Sequence, residues 1–184
     1  MSPMRLLMVA FALITAGCQS IQTYSDYDHR VDMSGYRTFS WISEHPMVDS
    51  SPSVSPLTEG RVQLAIIDVM EDKGIAFVPD PKQADFVVAF TVGSRQKVRV
   101  DTTSYPIGYR GPFVWGPGYY QDVNVREYTE GRLAIDIFDT KLHQPVWHGY
   151  GTKSITGSDR KDPAAAIHKA VAAILKPFPP GAKD

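Results

Sequence analysis

Cys18 is the residue of this 184-residue chain whose type and position together name a reaction. It is the only cysteine, and it follows Ala16-Gly17 at the end of the apolar run Leu6-Leu7-Met8-Val9-Ala10-Phe11-Ala12-Leu13-Ile14, which Arg5 precedes. A positive amino end, a short apolar stretch and a small-residue cleavage site make a secretory signal, too short to span a bilayer as a mature helix. A thiol directly after the small pair is the arrangement of a bacterial lipoprotein signal, although Thr15 stands where leucine is commoner. The expectation is that residues 1–17 are removed and that a lipidated Cys18 anchors the chain to a membrane. Gln19, where an aspartate would favour inner-membrane retention, points to the outer membrane with the body facing the periplasm. The alternative is a buried free thiol at the end of an apolar helix. With Cys18 used as the anchor, no thiol remains for a disulfide, and packing alone must hold the fold.

Other reactive residue types do not assemble into a pattern. His143 and His148 lie five residues apart, which on a strand of period two sets them on opposite faces, so they are poor joint ligands. Arg132 and Asp136 share a strand face and suggest a solvated or cross-strand ion pair rather than an acid–base couple. Asp26-Tyr27-Asp28-His29 offers oxygen ligands without the further ligands and sharp glycine turn of a calcium loop, so no metal site is expected. There is no Gly-x-Ser-x-Gly elbow, no His-Glu-x-x-His and no Walker loop, and Gly116 and Gly118 do not lead into a helix. No cofactor is expected. A non-enzymatic binding or structural module is the leading reading, with an enzyme acting on a cell-wall or glycan substrate as the alternative.

The unusual stretch is Asp101 to Gln121, where Tyr105, Tyr109, Phe113, Trp115, Tyr119 and Tyr120 are mixed with Pro106, Gly108, Gly111, Pro112, Gly116, Pro117 and Gly118. Glycine and proline punctuate it too often for regular structure, and it is too aromatic for an inert linker. The rings fold back over an open sheet face, or they form a contact surface for an envelope protein or cell-wall partner, or the stretch is disordered.

These candidates must be positioned by a domain of modest size. A net charge of −1 with interspersed signs leaves no basic face for nucleic acid. Residues 18–33 are polar and read as a tether, and residues 34–180 as one domain. Within it, Tyr36 to Ile42 alternates as a strand. Ser55-Pro56 opens a helix with Val62, Ala65, Ile66, Val69 and Met70 on one side, and Gly74 closes it. Ile75 to Val78 and Phe86 to Val92 read as strands, and past a bend or bulge at Gly93 the ribbon runs on with one wet face, Arg95, Lys97 and Arg99 alternating with Val98 and Val100. Val123 to Tyr128, Arg132 to Phe138 and Pro145 to Tyr150 read as three strands in a meander, and Asp162-Pro163 opens a second helix. The expected fold is α+β: a mainly antiparallel sheet with two helices packed on one face.

Taken together, the single cysteine after Ala16-Gly17, Tyr27-Asp28 to Ser34-Gly35-Tyr36-Arg37-Thr38-Phe39-Ser40-Trp41, Ala84-Asp85-Phe86-Val87-Val88-Ala89-Phe90, Glu130-Gly131-Arg132-Leu133-Ala134-Ile135-Asp136, Pro145-Val146-Trp147-His148-Gly149 and Phe178-Pro179-Pro180 resemble the lipoprotein family called domain of unknown function 4136. The likeness covers roughly residues 24–180. The turn at Lys141 to Gln144 lacks the glycine often seen there, and the aromatic stretch is local to this member. The resemblance implies an envelope lipoprotein with an α+β domain, and implies no activity or catalytic residue.

Overall fold

The computed structural model describes residues 21–50, 54–107 and 118–180, so Cys18 lies outside the described residues. Strands β1 (Gln22–Tyr27), β2 (Thr38–Trp41) and β3 (Met47–Ser50) precede helix α1 (Thr58–Asp72). The short β4 (Ala76–Phe77) and a 3₁₀ turn (Pro81–Gln83) lead to the long strands β5 (Phe86–Ile107) and β6 (Gly118–Asp139). Strand β7 (Gln144–Ser154) is followed by helices α2 (Gly157–Lys161) and α3 (Pro163–Leu175). The strands form one sheet in the order β1-β7-β6-β5-β2-β4, with β3 paired farther along β5. Strands β1, β7, β6 and β5 are antiparallel neighbours, whereas β2 and β3 run parallel to β5. The α+β class with a mostly antiparallel sheet holds.

The helices follow their apolar periodicity. Val62, Ala65, Ile66, Val69 and Met70 are the buried side of α1, and Val171, Ile174 and Leu175 that of α3. Asp162 accepts a hydrogen bond from the Ala165 N–H at 3.1 Å, and Pro163 takes the first helical position, where its missing donor costs nothing. Gly74, at φ 76°, ends α1 in the left-handed region, and the Ile75 N–H returns to the Met70 carbonyl at 2.9 Å. The start of α1 differs from expectation: Ser55 caps a turn ahead of the helix, accepting from the Leu57 N–H on its side chain at 3.3 Å and from the Thr58 N–H on its carbonyl at 2.9 Å. Helix α2 was not expected. Five residues cannot display an apolar period, and it rests on the capping box between Thr156 and Asp159.

Phe86, Val88 and Phe90 of β5 and Leu133, Ile135 and Ile137 of β6 are buried on the helix-facing side, as period two requires. Phe178, just after α3, packs its ring 5.5 Å from Phe86 and 5.4 Å from Trp147. Trp147 lies over Gly149, where a Cβ would come within 2.2 Å of the indole.

Three sequence expectations are corrected. Residues 22–27, read as part of a tether, form β1 along the free edge of β7 from Gln22↔Thr152 to Tyr27↔Trp147, and Met33 is buried in the core. Backbone pairing supplies what a polar edge strand does not advertise through apolar alternation. Val123–Tyr128 and Arg132–Phe138 are not two strands but parts of β6, whereas β5 runs on past Gly93 as its alternation from Arg95 to Val100 leads one to expect, with no bulge at the glycine. Gly131 marks no turn; the Ile155 side chain occupies the space its Cβ would need, at 2.8 Å. Finally, Asp101–Ile107 and Gly118–Gln121 are regular paired strand, not irregular chain. Pro106 is tolerated because a two-stranded ribbon has outward N–H positions that need no partner.

Candidate functional site: the ribbon and the open sheet face

Strands β5 and β6 stay paired from Phe86↔Asp139 to Ile107↔Gly118. Strand β7 follows β6 only as far as Glu130↔Ser154, and β3 follows β5 only to Ser50↔Val92. From Gln96 to Ile107, therefore, no third strand is present among the described residues, a reach on the order of 40 Å at ~3.4 Å per residue. An isolated two-stranded hairpin is marginal in water, so this ribbon owes its order to strands rooted in the body.

The ribbon has two unlike faces. Val100 lies directly opposite Val125, and with Val98 and Val123 it continues the helix-facing side of the sheet beyond the helices, each valine more than half exposed. The other face carries Lys97, Arg99, Arg126 and Tyr128. Arg99 sits opposite Arg126, a like-charge rung, and turns to Asp101 at 2.9 Å. At the far end Tyr105 pairs with Tyr120, and Pro106 with Tyr119. The structure thus brings Tyr105, Tyr119 and Tyr120 to adjacent rungs at the ribbon's end; Tyr109, Phe113 and Trp115 lie outside the described residues. The root is fixed by a rung crossing four strands, Gln22–Thr152–Arg132–Gly93, so β1 begins at the end of the sheet from which the ribbon departs.

The sheet face away from the helices is polar. Asp136 does not pair with Arg132. It pairs with His148, its direct cross-strand neighbour, at 2.6 Å, while the Arg132 guanidinium stacks over the Tyr150 ring at 4.3 Å. The reason is metric: directly opposed residues stand ~5 Å apart, whereas positions four apart along one strand are ~13 Å apart. Arg95 and Lys97 converge on Glu130 at 3.0 and 2.6 Å, and the Lys97 hydrogen bond is the chief reason that the Glu130 carboxyl sits below its ordinary range. These groups, with Tyr24 5.5 Å from Tyr150, line an open groove of about 380 Å³. Asp136 is eighteen residues along β6 from the ribbon's end, roughly 60 Å, so this titratable pair does not converge on the aromatic tip.

His143 lies in the β6–β7 turn at φ 54° and His148 on the open face, so the two histidines serve different elements. Asp28 is held by Arg30 at 2.7 Å, which lowers its carboxyl to about 2, and Asp26 accepts from the Tyr27 N–H. Their carboxylates serve local turns. No group of three or more potential ligands is placed to hold a metal among the described residues.

The buried acid that sequence reasoning missed is Asp139. One oxygen accepts from the Tyr36 hydroxyl at 2.6 Å, and the other from the Lys141 and Leu142 N–H groups, both at 2.7 Å. Burial raises its carboxyl, and these donors more than offset that, leaving it below the ordinary value. Burial, then Asp139, pushes the Tyr36 phenol up. The unit pins the β6–β7 turn to the segment before β2. Its sequence signal was slight, a carboxylate at the end of an apolar strand.

A family model described as Domain of unknown function (DUF4136) matches residues 23–180, beginning inside β1. Among solved structures, a DUF4136 family protein from Bacteroides thetaiotaomicron is similar at 19% identity and a TM-score of 0.55, over 88% of this chain and 97% of that one. A PelC dodecamer from Paraburkholderia phytofirmans is similar at 13% identity and a TM-score of 0.52, over 86% of this chain and 96% of that one. At these identities the likeness shows the fold. No curated protein matches the chain.

Proposed function

From the premise that this chain belongs to the DUF4136 family, whose function is unknown, we propose that it is a lipid-anchored protein of the bacterial envelope that holds out a β-ribbon to a protein or cell-wall partner. Cys18 carries the anchor in this reading, and Tyr105, Tyr109, Phe113, Trp115, Tyr119 and Tyr120 supply the contact. The observation that carries it is the ribbon itself, which extends on the order of 40 Å beyond its last neighbouring strand and ends in tyrosine rungs. Long unpartnered ribbons with apolar faces are liabilities that a stable domain does not need, and aromatic side chains are the strongest contributors at recognition surfaces.

The test replaces Gln96–Thr129 by Asn-Gly, which closes Arg95 onto Glu130 with a two-residue turn. In crosslinked envelope fractions the shortened protein is expected to lose the partners that the full chain captures, while its thermal transition stays cooperative. Retention of the same partners would place the contact elsewhere on the body. A second reading makes the partner another copy of this chain, favoured by the exposed stripe of Val98, Val100, Val123 and Val125. A structurally similar protein is itself a dodecamer. Mass measurement in solution separates the two, because only self-association changes the mass of the purified full chain and is lost on shortening.

A further inference from the structure

The helix side of the sheet holds a second, chemically different feature at the base of the ribbon. A cavity of about 610 Å³ opens between the first turns of α1, the first half of α3, the middle of β5 and β6 and the end of β7. Its floor is the rung Val92–Leu133–Gly151 followed by Ser94–Gly131–Lys153. The two glycines let aliphatic side chains lie directly on the sheet: a Cβ at Gly131 would meet Ile155 at 2.8 Å, and one at Gly151 would meet Ile174 at 3.0 Å. Val62 forms the wall on the α1 side, and Ala166, Ile167 and Ala170 the wall on the α3 side. Small and aliphatic residues on the walls and floor leave a slot that no side chain among the described residues fills.

The charges around the slot are not balanced. Lys153 is neutralised by Asp159, to which it donates a hydrogen bond. Arg61 and Arg160 also line the cavity, and neither has a carboxylate within ion-pair distance among the described residues. An apolar slot in the size range of ligand sites, flanked by two unpaired guanidiniums, matches one chemistry: an aliphatic chain ending in an anionic group.

We propose that this cavity binds a free single-chain anionic amphiphile, with its acyl chain between α1 and α3 and its carboxylate or phosphate at Arg61 and Arg160. The proposal is independent of the ribbon's partner. Its ligand is a membrane-derived fatty acid or lysolipid rather than the acyl chains on the protein's own Cys18, a distinction that the test makes.

The full chain carrying Cys18→Ser, purified without detergent, is titrated with cis-parinaric acid, which is then displaced by saturated fatty acids of eight to sixteen carbons, by palmitate methyl ester and by inorganic phosphate. Displacement is expected to strengthen roughly ten-fold per two carbons until the slot is full, because each buried methylene adds a fixed increment. The methyl ester should bind at least ten-fold more weakly than palmitate, and phosphate should not displace. Ala170→Phe should abolish binding by filling the slot, and Arg61→Gln with Arg160→Gln should weaken it at least ten-fold. Absence of chain-length dependence, equal affinity for acid and ester, or unchanged binding in the arginine pair would each overturn the proposal. Should Ala170→Phe fail to fold, the chain-length series and the surface arginine pair still decide. If the lipidated protein excludes the probe that the Cys18→Ser form accepts, the anchor's own chain is the occupant and the proposal is wrong.

Discussion

Replacing Tyr36 by Phe removes one oxygen and leaves the ring where it is, 5.0 Å from Phe86. Both Tyr36 and Asp139 are 7% exposed, so water cannot replace the lost donor freely. A hydrogen bond to a charged acceptor contributes roughly 1.5–3 kcal/mol, and a buried carboxylate oxygen left without its donor falls within that range. We expect a loss of about 2 kcal/mol at pH 7, or roughly 4–8 °C in Tm for a domain of this size. The pH dependence identifies the cause. The folded Asp139 carboxyl lies below its unfolded value of about 3.9, so its stabilisation is fully present above that pH and is lost as pH falls through the lower folded value. The gap between wild type and Tyr36→Phe should therefore be widest near neutrality and should narrow in acid. At the other extreme, Tyr36 has a folded value raised above its unfolded one, so its contribution is complete below about pH 10 and fades above it. Urea unfolding followed by circular dichroism at pH 7 and at pH 3 reads both numbers. A gap under 0.5 kcal/mol at pH 7, or one that stays constant down to pH 3, would refute this account of the turn.

Gly149→Ala should cost about 1–3 kcal/mol in urea unfolding, because its Cβ would stand 2.2 Å from the Trp147 ring, a buried group with little room to retreat; a neutral substitution would mean that the indole moves freely. Cys18→Ser should move the protein from membrane to soluble periplasmic fractions with a cooperative transition within a few degrees of the lipidated form, since the family match begins only at residue 23. Mass spectrometry that found Cys18 unmodified in the wild type would remove the anchor from the functional reading.

Features written in local chemistry were legible in the sequence. The apolar period from Val62 to Met70, the Asp162-Pro163 opening, the stop at Gly74 and the inward set Leu133, Ile135 and Ile137 are each contained in one short window, and each lies where expected. Features that depend on register were not. Strand β1 is polar and exists because β7 has an edge to offer. Gly131 looks like a break between two strands, yet it lies within one continuous strand. The partners of Arg132 and Asp136 sit on β7 rather than along β6, so no spacing within β6 could reveal Tyr150 and His148. Of the aromatic set, the sequence showed the density of rings; pairing alone showed that Tyr105 and Tyr120 share a rung.

The rung from Gln22 to Gly93 has a consequence for how the molecule stands on a membrane. Three residues stand between Cys18 and Gln22, so four Cα steps, at most about 14 Å of extended chain, join them. If Cys18 carries lipid, that leash is short, and it leaves the sheet from the same end as the ribbon. An arm on the order of 40 Å long rooted there has no headroom to stand upright between body and bilayer. It must run sideways, close to the headgroups, sweeping an arc around the anchor. The partner best placed to meet Tyr105 and Tyr120 is then one lying in or on the same leaflet, a neighbour in the plane rather than a layer tens of ångströms away.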